Sequence, residues 1–196
     1  MYQLTHELIL GSKSPRRQEL LKGMGFDFQI RTLETDESYP DSLSSDEVAG
    51  YLAEIKADAL LPTLSEEELL ITSDTVVLID QKVLGKPNNA EEAFEMISEL
   101  AGKTHRVITG VHLATTQMRC TFSVCTEVQF SPLDSEEIQF YISNFQPMDK
   151  AGAYGIQEWI GFIGIEKMNG SYYNVMGLPT SVLWKRMKEL GLIRFN

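Results

Sequence analysis

An α/β fold, a mixed central sheet flanked by helices, is predicted by three observations. Stretches of helical periodicity are interspersed with short apolar runs. One run, residues 69–79, is long and apolar enough for a central strand. Hairpin-type turns break the alternation, which a purely parallel sheet would not accommodate. The 196 residues, 43% of them hydrophobic, can bury a substantial core. Without a Pro/Gly/Ser-rich linker, residues 1–196 are expected to form one two-lobed domain.

Residues 7–10 read as a short strand broken by Gly11-Ser12-Lys13-Ser14-Pro15. A helix follows, with Ser14 as N-cap, Pro15 at the first helical position and Leu20, Leu21 and Met24 as its apolar stripe. Gly23 and Gly25 end it. Residues 26–31 alternate like a strand, and the acidic segment 35–45 reads as a loop. Ser45 or Asp46 can cap a helix through Val48, Leu52, Ile55 and Leu60, stopped by Pro62. After the 69–79 strand, Asp80-Gln81 turns into a strand at 82–84. Asn88 with Glu91 reads as an amide-headed capping box for a helix ending near Gly102. Residues 104–113 and 119–130 read as paired strands, and 135–144 as a helix burying Ile138, Tyr141 and Ile142. Residues 160–165 read as an apolar strand, Asn169-Gly170 as a hairpin turn, and 180–190 as the last helix, with Gly191 behind it.

The formal net charge of −11 argues against nucleic acid and anionic membranes as partners. A small anion could bind only where the 17 basic residues gather locally or a cation is recruited. No basic segment leads into a long apolar one at the start of the sequence, and no run reaches membrane-span length, so a cytoplasmic location is expected. Cys120 and Cys125, five apart in a strand, should face opposite sides and stay unbridged. His6, His105 and His112 form no catalytic spacing.

Four segments could carry chemistry. Gly11-Ser12-Lys13-Ser14-Pro15-Arg16-Arg17 opens a helix, where free N–H groups and the helix dipole favour phosphate. The alternative is an ordinary capped helix with solvated arginines; a Walker A loop is excluded by the glycine spacing. Asp74, in Ser73-Asp74-Thr75, lies inside an apolar strand, where a carboxylate is costly unless bonded, paired or metal-bound. Otherwise the strand ends at Thr72 and Asp74 caps a turn. Gly85-Lys86-Pro87 could aim a charge at phosphate, or Lys86 is a solvated turn lysine. Asp149-Lys150-Ala151-Gly152-Ala153-Tyr154-Gly155-Ile156-Gln157 is either a flexible loop or a close backbone approach, with Gln157 offering a donor and an acceptor to a base edge. Glu37 and Lys56 read from spacing alone as surface residues.

In order, these segments resemble the Maf family of nucleoside triphosphate pyrophosphatases, from Ile9 to about Gly191. The resemblance also rests on Glu37, Glu54-Ile55-Lys56-Ala57, Thr109-Gly110-Val111, Asn169-Gly170-Ser171-Tyr172 and Gly177-Leu178-Pro179. It implies two lobes around a substrate cleft, as in inosine triphosphate pyrophosphatase-like folds, and commonly a homodimer. It implies hydrolysis of a triphosphate to monophosphate and pyrophosphate with a divalent cation: Mg²⁺, or Mn²⁺ or Co²⁺ in its place. By resemblance Asp74 accepts the proton of the attacking water; a metal held by Asp74 with Glu37 is expected to polarise the phosphates. Ser12, Ser14, Arg17, Lys56 and Lys86 bind substrate. Arg16, Thr75 and Gln157 match the dTTP/UTP branch, where the 7-methyl-GTP branch has Trp, Gln and Glu. Glu158-Trp159 departs from relatives that carry small residues there. Two other readings stand beside this one: the same chemistry on a modified or non-canonical nucleotide, and a nucleotide-binding regulator of cell division with little turnover.

Overall fold

The computed structural model describes residues 2–195. In chain order the elements are β1 (Tyr2–Leu4), β2 (Glu7–Leu10), α1 (Pro15–Gly23), β3 (Gln29–Ile30), α2 (Val48–Leu60), β4 (Glu68–Ile79), β5 (Lys82–Leu84) and α3 (Ala90–Leu100). There follow β6 (Thr104–Ala114), β7 (Arg119–Phe130), α4 (Ser135–Phe145), α5 (Trp159–Gly164), β8 (Ile165–Asn169), α6 (Tyr172–Val175), α7 (Thr180–Glu189) and β9 (Ile193–Phe195). The main sheet has strand order β3-β2-β4-β6-β7-β8, with β5 on β4; β1 and β9 form a separate antiparallel ribbon. The sheet is mixed as expected: β2 is parallel to β3 and β4, whereas β5 on β4 and β8 on β7 are antiparallel.

The chain divides into two compact units, Met1–Asp74 with Thr109–Val124 and Gly177–Asn196, and Thr75–Ile108 with Cys125–Met176. In the first unit α2 lies close on the sheet because its inner face is small. Ala49, Ala53 and Ala57 are fully buried, and Ala57 and Leu60 pack with Ile9, Leu70 and Ala114. Gly110 on β6 makes this approach possible: a Cβ there would lie 2.3 Å from the Ala49 carbonyl and 2.4 Å from the Gly50 nitrogen. Thr72 Oγ1 donates to the Ala53 carbonyl at 2.6 Å, pinning α2 to β4. Tyr2, Phe26, Trp184 and Phe195 close the β1–β9 ribbon with mutual ring contacts. Of these four rings Phe26 is the buried one, and its burial stabilises the fold by about 1.5–3 kcal/mol.

In the second unit α3 buries Ala93, Met96, Ile97 and Leu100, and α4 buries Ile138, Tyr141 and Ile142. Asp134 caps α4 with a reciprocal box: its Oδ1 accepts from Glu137 N at 2.8 Å, and its own N donates to Glu137 Oε2 at 2.9 Å. His105 and Tyr154 pack edge-on against Phe130.

Several local expectations are corrected. The 26–31 strand shrinks to β3, because only Gln29 and Ile30 find partners, on Ile9 and Leu10. Residues 160–165 are mostly helical, as α5, with β8 beginning at Ile165. Gly170 (φ +138°) ends β8 and leads into α6 instead of a hairpin strand. The cap of α3 is Asn89, which accepts from Glu92 N at 2.8 Å, one residue beyond the expected box. Ser14 occupies the N-cap of α1 but makes no side-chain capping bond, and the N-cap of α2 is Glu47. Cys120 and Cys125 form no disulfide, as expected. Among the described residues no helix is long and apolar enough to cross a membrane.

Candidate active site

In the first unit β2 ends at Leu10, and the chain turns through Gly11 into α1. A Cβ at Gly11 would lie 2.6 Å from the Thr72 methyl, so this position is closed to larger residues. The turn buries Ser12, whose Oγ accepts from Ser14 N at 3.2 Å and from Arg17 Nη1 at 3.3 Å. The first free N–H groups of the helix are therefore served partly by Ser12, in place of the expected cap from Ser14. Arg17 Nε donates to the Gly177 carbonyl at 2.9 Å, and Ser73 Oγ donates to the same oxygen at 3.1 Å. The guanidinium is thus anchored on two chain segments, the 11–14 turn and Gly177. Burial lowers its pKa; Asp74 opposes that, Arg16 adds to it, and Glu37 opposes it again.

Asp74 is the last residue of this unit's share of β4, with its side chain 13% exposed. The strand continues beyond it to Ile79, so the reading in which Asp74 caps a turn is overturned. Its Oδ1 is bonded to Lys56 Nζ, projected from α2, and Glu37 Oε1 lies 2.9 Å from the same ammonium. The acidic loop thus supplies one carboxylate and the apolar strand another, and both converge on one cation. Lys56 is not a surface residue as its spacing suggested: its side chain is 17% exposed. The close α2–β6 packing at Gly110 sets where α2, and with it Lys56, stands.

Two carboxylates from separate segments around an ammonium form a donor set with a stand-in cation. This fits a hydrated divalent ion such as Mg²⁺, which keeps most of its waters and takes one or two carboxylates plus substrate phosphates. Among the described residues no group of three or more His, Cys, Asp or Glu side chains could hold a metal by itself. The set therefore suits an ion that arrives with a phosphorylated ligand.

The remaining expected residues fall as follows. Arg16, in the first turn of α1, is partly exposed. Thr75, Lys86 and Gln157 belong to the second unit. Thr75 is partly exposed on β4, and Lys86 is exposed just beyond β5. Gly85 before it accepts at its carbonyl from Gly152 N at 2.9 Å, tying the Lys86 turn to the 149–157 segment. That segment is no flexible loop. Gly152 and Ala153 take left-handed backbone (φ +66° and +59°), Gly152 packs against Val77, and Gly152, Ala153, Tyr154, Gly155 and Ile156 are all buried. Gln157 Oε1 is buried with no hydrogen-bond partner among the described residues. A buried amide acceptor left open costs about 1–3 kcal/mol unless a ligand donor meets it.

Sequence reasoning assigned no role to Ser73, Gly110 or the Gly177 carbonyl. Gly110 and Gly177 do stand inside quoted motifs, and glycine in a motif signals close approach or unusual backbone; Gly177 has φ +111°. A carbonyl acceptor itself has no sequence signature.

Residues 7–190 match the family described as Maf-like protein. The chain is 50% identical over 186 residues to a protein of Bacteroides thetaiotaomicron called dTTP/UTP pyrophosphatase, covering 94% of this chain and 96% of that one. A Phocaeicola vulgatus protein of the same name is also 50% identical over 186 residues, with the same coverage. Among solved structures, the Ham1 protein of Staphylococcus aureus aligns with a TM-score of 0.54 at 12% identity, over 94% of this chain and 99% of that one. A HAM1 protein from Coxiella burnetii aligns with a TM-score of 0.50 at 15% identity, over the same shares. At those identities the likeness concerns the fold.

Proposed function

Because the chain belongs to the family of Maf-like proteins, we propose that it is a pyrophosphatase that hydrolyses dTTP and UTP to the nucleoside monophosphate and pyrophosphate. The relatives called dTTP/UTP pyrophosphatase support this reading over nearly the full chain. The observation that carries the chemistry is the convergence of Asp74 and Glu37 on Lys56, in the same unit as Arg17 held on the Gly177 carbonyl.

Asp74 accepts a proton from water as the water oxygen bonds to the α-phosphorus, and the α–β bridging P–O bond breaks with its electron pair leaving on pyrophosphate. Pyrophosphate carries the developing charge, which Arg17, Lys56 and Lys86 stabilise while Ser12 and Ser14 donate hydrogen bonds. Lys56 holds Asp74. The triphosphate attracts that ammonium and leaves the carboxylate open to water. Glu37 and Asp74 would hold the divalent ion, which when bound would neutralise phosphate charge and make the attacking water more acidic. Arg16, Thr75 and Gln157 read the base. Gln157 Oε1 suits this role because uracil and thymine both present an imide N–H donor. We further propose that residues 1–196 act as one functional domain, in the cytoplasm and as a homodimer.

The test is pyrophosphate release by the purified protein with Mg²⁺ across a panel of canonical and modified nucleotides. dTTP and UTP should head the panel, and Asp74→Asn should lower turnover by roughly a thousandfold or more with its fold retained. Turnover of Asp74→Asn within a few-fold of the parent would remove Asp74 from the base role. A purine or modified nucleotide at the head would replace the substrate assignment.

A further inference from the structure

The residue after Gln157 carries a charge that the reaction does not use. Glu158 is held in a largely buried network of the second unit. Its Oε1 lies 3.0 Å from Lys150 Nζ, whose side chain is 8% exposed, and its Oε2 accepts from the Tyr141 hydroxyl. Tyr141 is fully buried, and its oxygen in turn accepts from Gly155 N at 3.0 Å. Lys150 also reaches Asp149 Oδ1 at 2.7 Å, while the Glu158 backbone donates to Gly155 O at 3.0 Å. The carboxylate is thus held at both of its oxygens, and the backbone bond fixes the Gly155–Glu158 turn with it.

The face of Gly155 shows what this arrangement does to Gln157. A Cβ built there would lie 2.9 Å from Gln157 Nε2, 2.8 Å from Glu158 Cδ and 3.0 Å from Glu158 Oε2. The amide nitrogen and the carboxylate therefore both border the space beside Gly155, which only glycine leaves open. A primary amide can turn its two ends over, and the neighbours decide which end faces where. A carboxylate attracts the NH₂ end and repels the oxygen, so Glu158 keeps Nε2 on its own side. Gln157 Oε1, buried and open, is then the end available to a ligand.

We propose that Glu158 is a positioning residue that fixes the orientation of the Gln157 amide and so selects bases with an imide N–H over cytosine, which has an acceptor at that ring nitrogen. This rests on Gln157 reading the base. With Oε1 forward, uracil and thymine gain a hydrogen bond, whereas cytosine sets acceptor against acceptor. With a neutral neighbour the amide can turn over and serve cytosine through its NH₂ end.

The experiment measures kcat/KM for dTTP and dCTP in the parent, Glu158→Gln, Tyr141→Phe and Gln157→Ala, with Tm recorded for each. Glu158→Gln removes the charge at nearly constant shape. Its preference for dTTP over dCTP should fall by roughly tenfold or more, chiefly through a lower KM for dCTP. A preference within twofold of the parent overturns the proposal. Tyr141→Phe removes the hydroxyl but keeps the carboxylate; it should lower Tm and preserve the preference. If it erases the preference, packing governs and not charge, and the proposal fails even if Glu158→Gln does not fold. Gln157→Ala separates the two readings: an unchanged profile there defeats Gln157 as reader, whereas a changed profile beside an unaffected Glu158→Gln defeats only the role of Glu158.

Discussion

Arg17 serves two acceptors on different chain segments, the Gly177 carbonyl through Nε and Ser12 Oγ through Nη1. A planar guanidinium can do this and still face phosphate; a lysine ammonium on a flexible stem cannot. Arg17→Lys should therefore lower kcat/KM for dTTP by roughly ten- to a hundredfold at unchanged net charge, as steady-state kinetics would show. Equal activity would mean that charge alone matters there. At this scale the sequence was legible where a residue was out of place: the cost of burying a carboxylate marks Asp74 inside an apolar strand. Glu37 and Lys56 carried no such mark. One lies in an acidic loop and the other on a helix, and only the fold shows that both meet Asp74. The open acceptor of Gln157 was also invisible, because burial of one amide oxygen depends on neighbours that periodicity does not specify.

The helix α2 transmits the sheet's geometry to Lys56, and Gly110 is the point of contact. A methyl group there would sit 2.3 Å from the Ala49 carbonyl, which is backbone and cannot swing aside. Gly110→Ala should push α2 from β6 and cost at least about 3 kcal/mol, a loss of roughly 6–12 °C in Tm. Because Lys56 moves with the helix, activity per folded molecule should fall as well; calorimetry beside pyrophosphate release would check both. Elements with one clear period, such as α2, α4 and α7, were legible in the sequence to within a residue or two. The apolar run at 160–165 was not, since a short buried helix and a buried strand look alike without polar residues to set a period. Asn88 and Asn89 are equally able to cap α3, so the cap was misplaced by one. The ribbon of β1 with β9 joins the two ends of the chain, and no local pattern announces such a pairing.

Across the whole molecule, acid stability should be governed by histidines that the reaction leaves alone. His105 is 2% exposed, its Nε2 lies 2.7 Å from the Tyr154 hydroxyl, and its Nδ1 is buried without a partner among the described residues. Burial pulls its pKa from 6.5 down to about 4. His112 moves in the same direction, again chiefly through burial. The folded protein keeps His105 neutral between pH 4 and 6.5, whereas the unfolded chain takes up a proton there. The stabilisation is therefore complete above pH 6.5 and is lost as the pH falls toward 4, amounting to about 3 kcal/mol over the full range. Arg31 bonding and the Ser65 N–H hold Glu68 below the usual carboxylate range, so that group acts at still lower pH. Urea unfolding at pH 7 and pH 5 isolates the histidine window. Between those two values the parent should lose about 2 kcal/mol more than His105→Gln, which keeps a polar partner for Tyr154 but cannot titrate. If both proteins lose the same stability, His105 does not set the slope, and His112 would be the next histidine to replace.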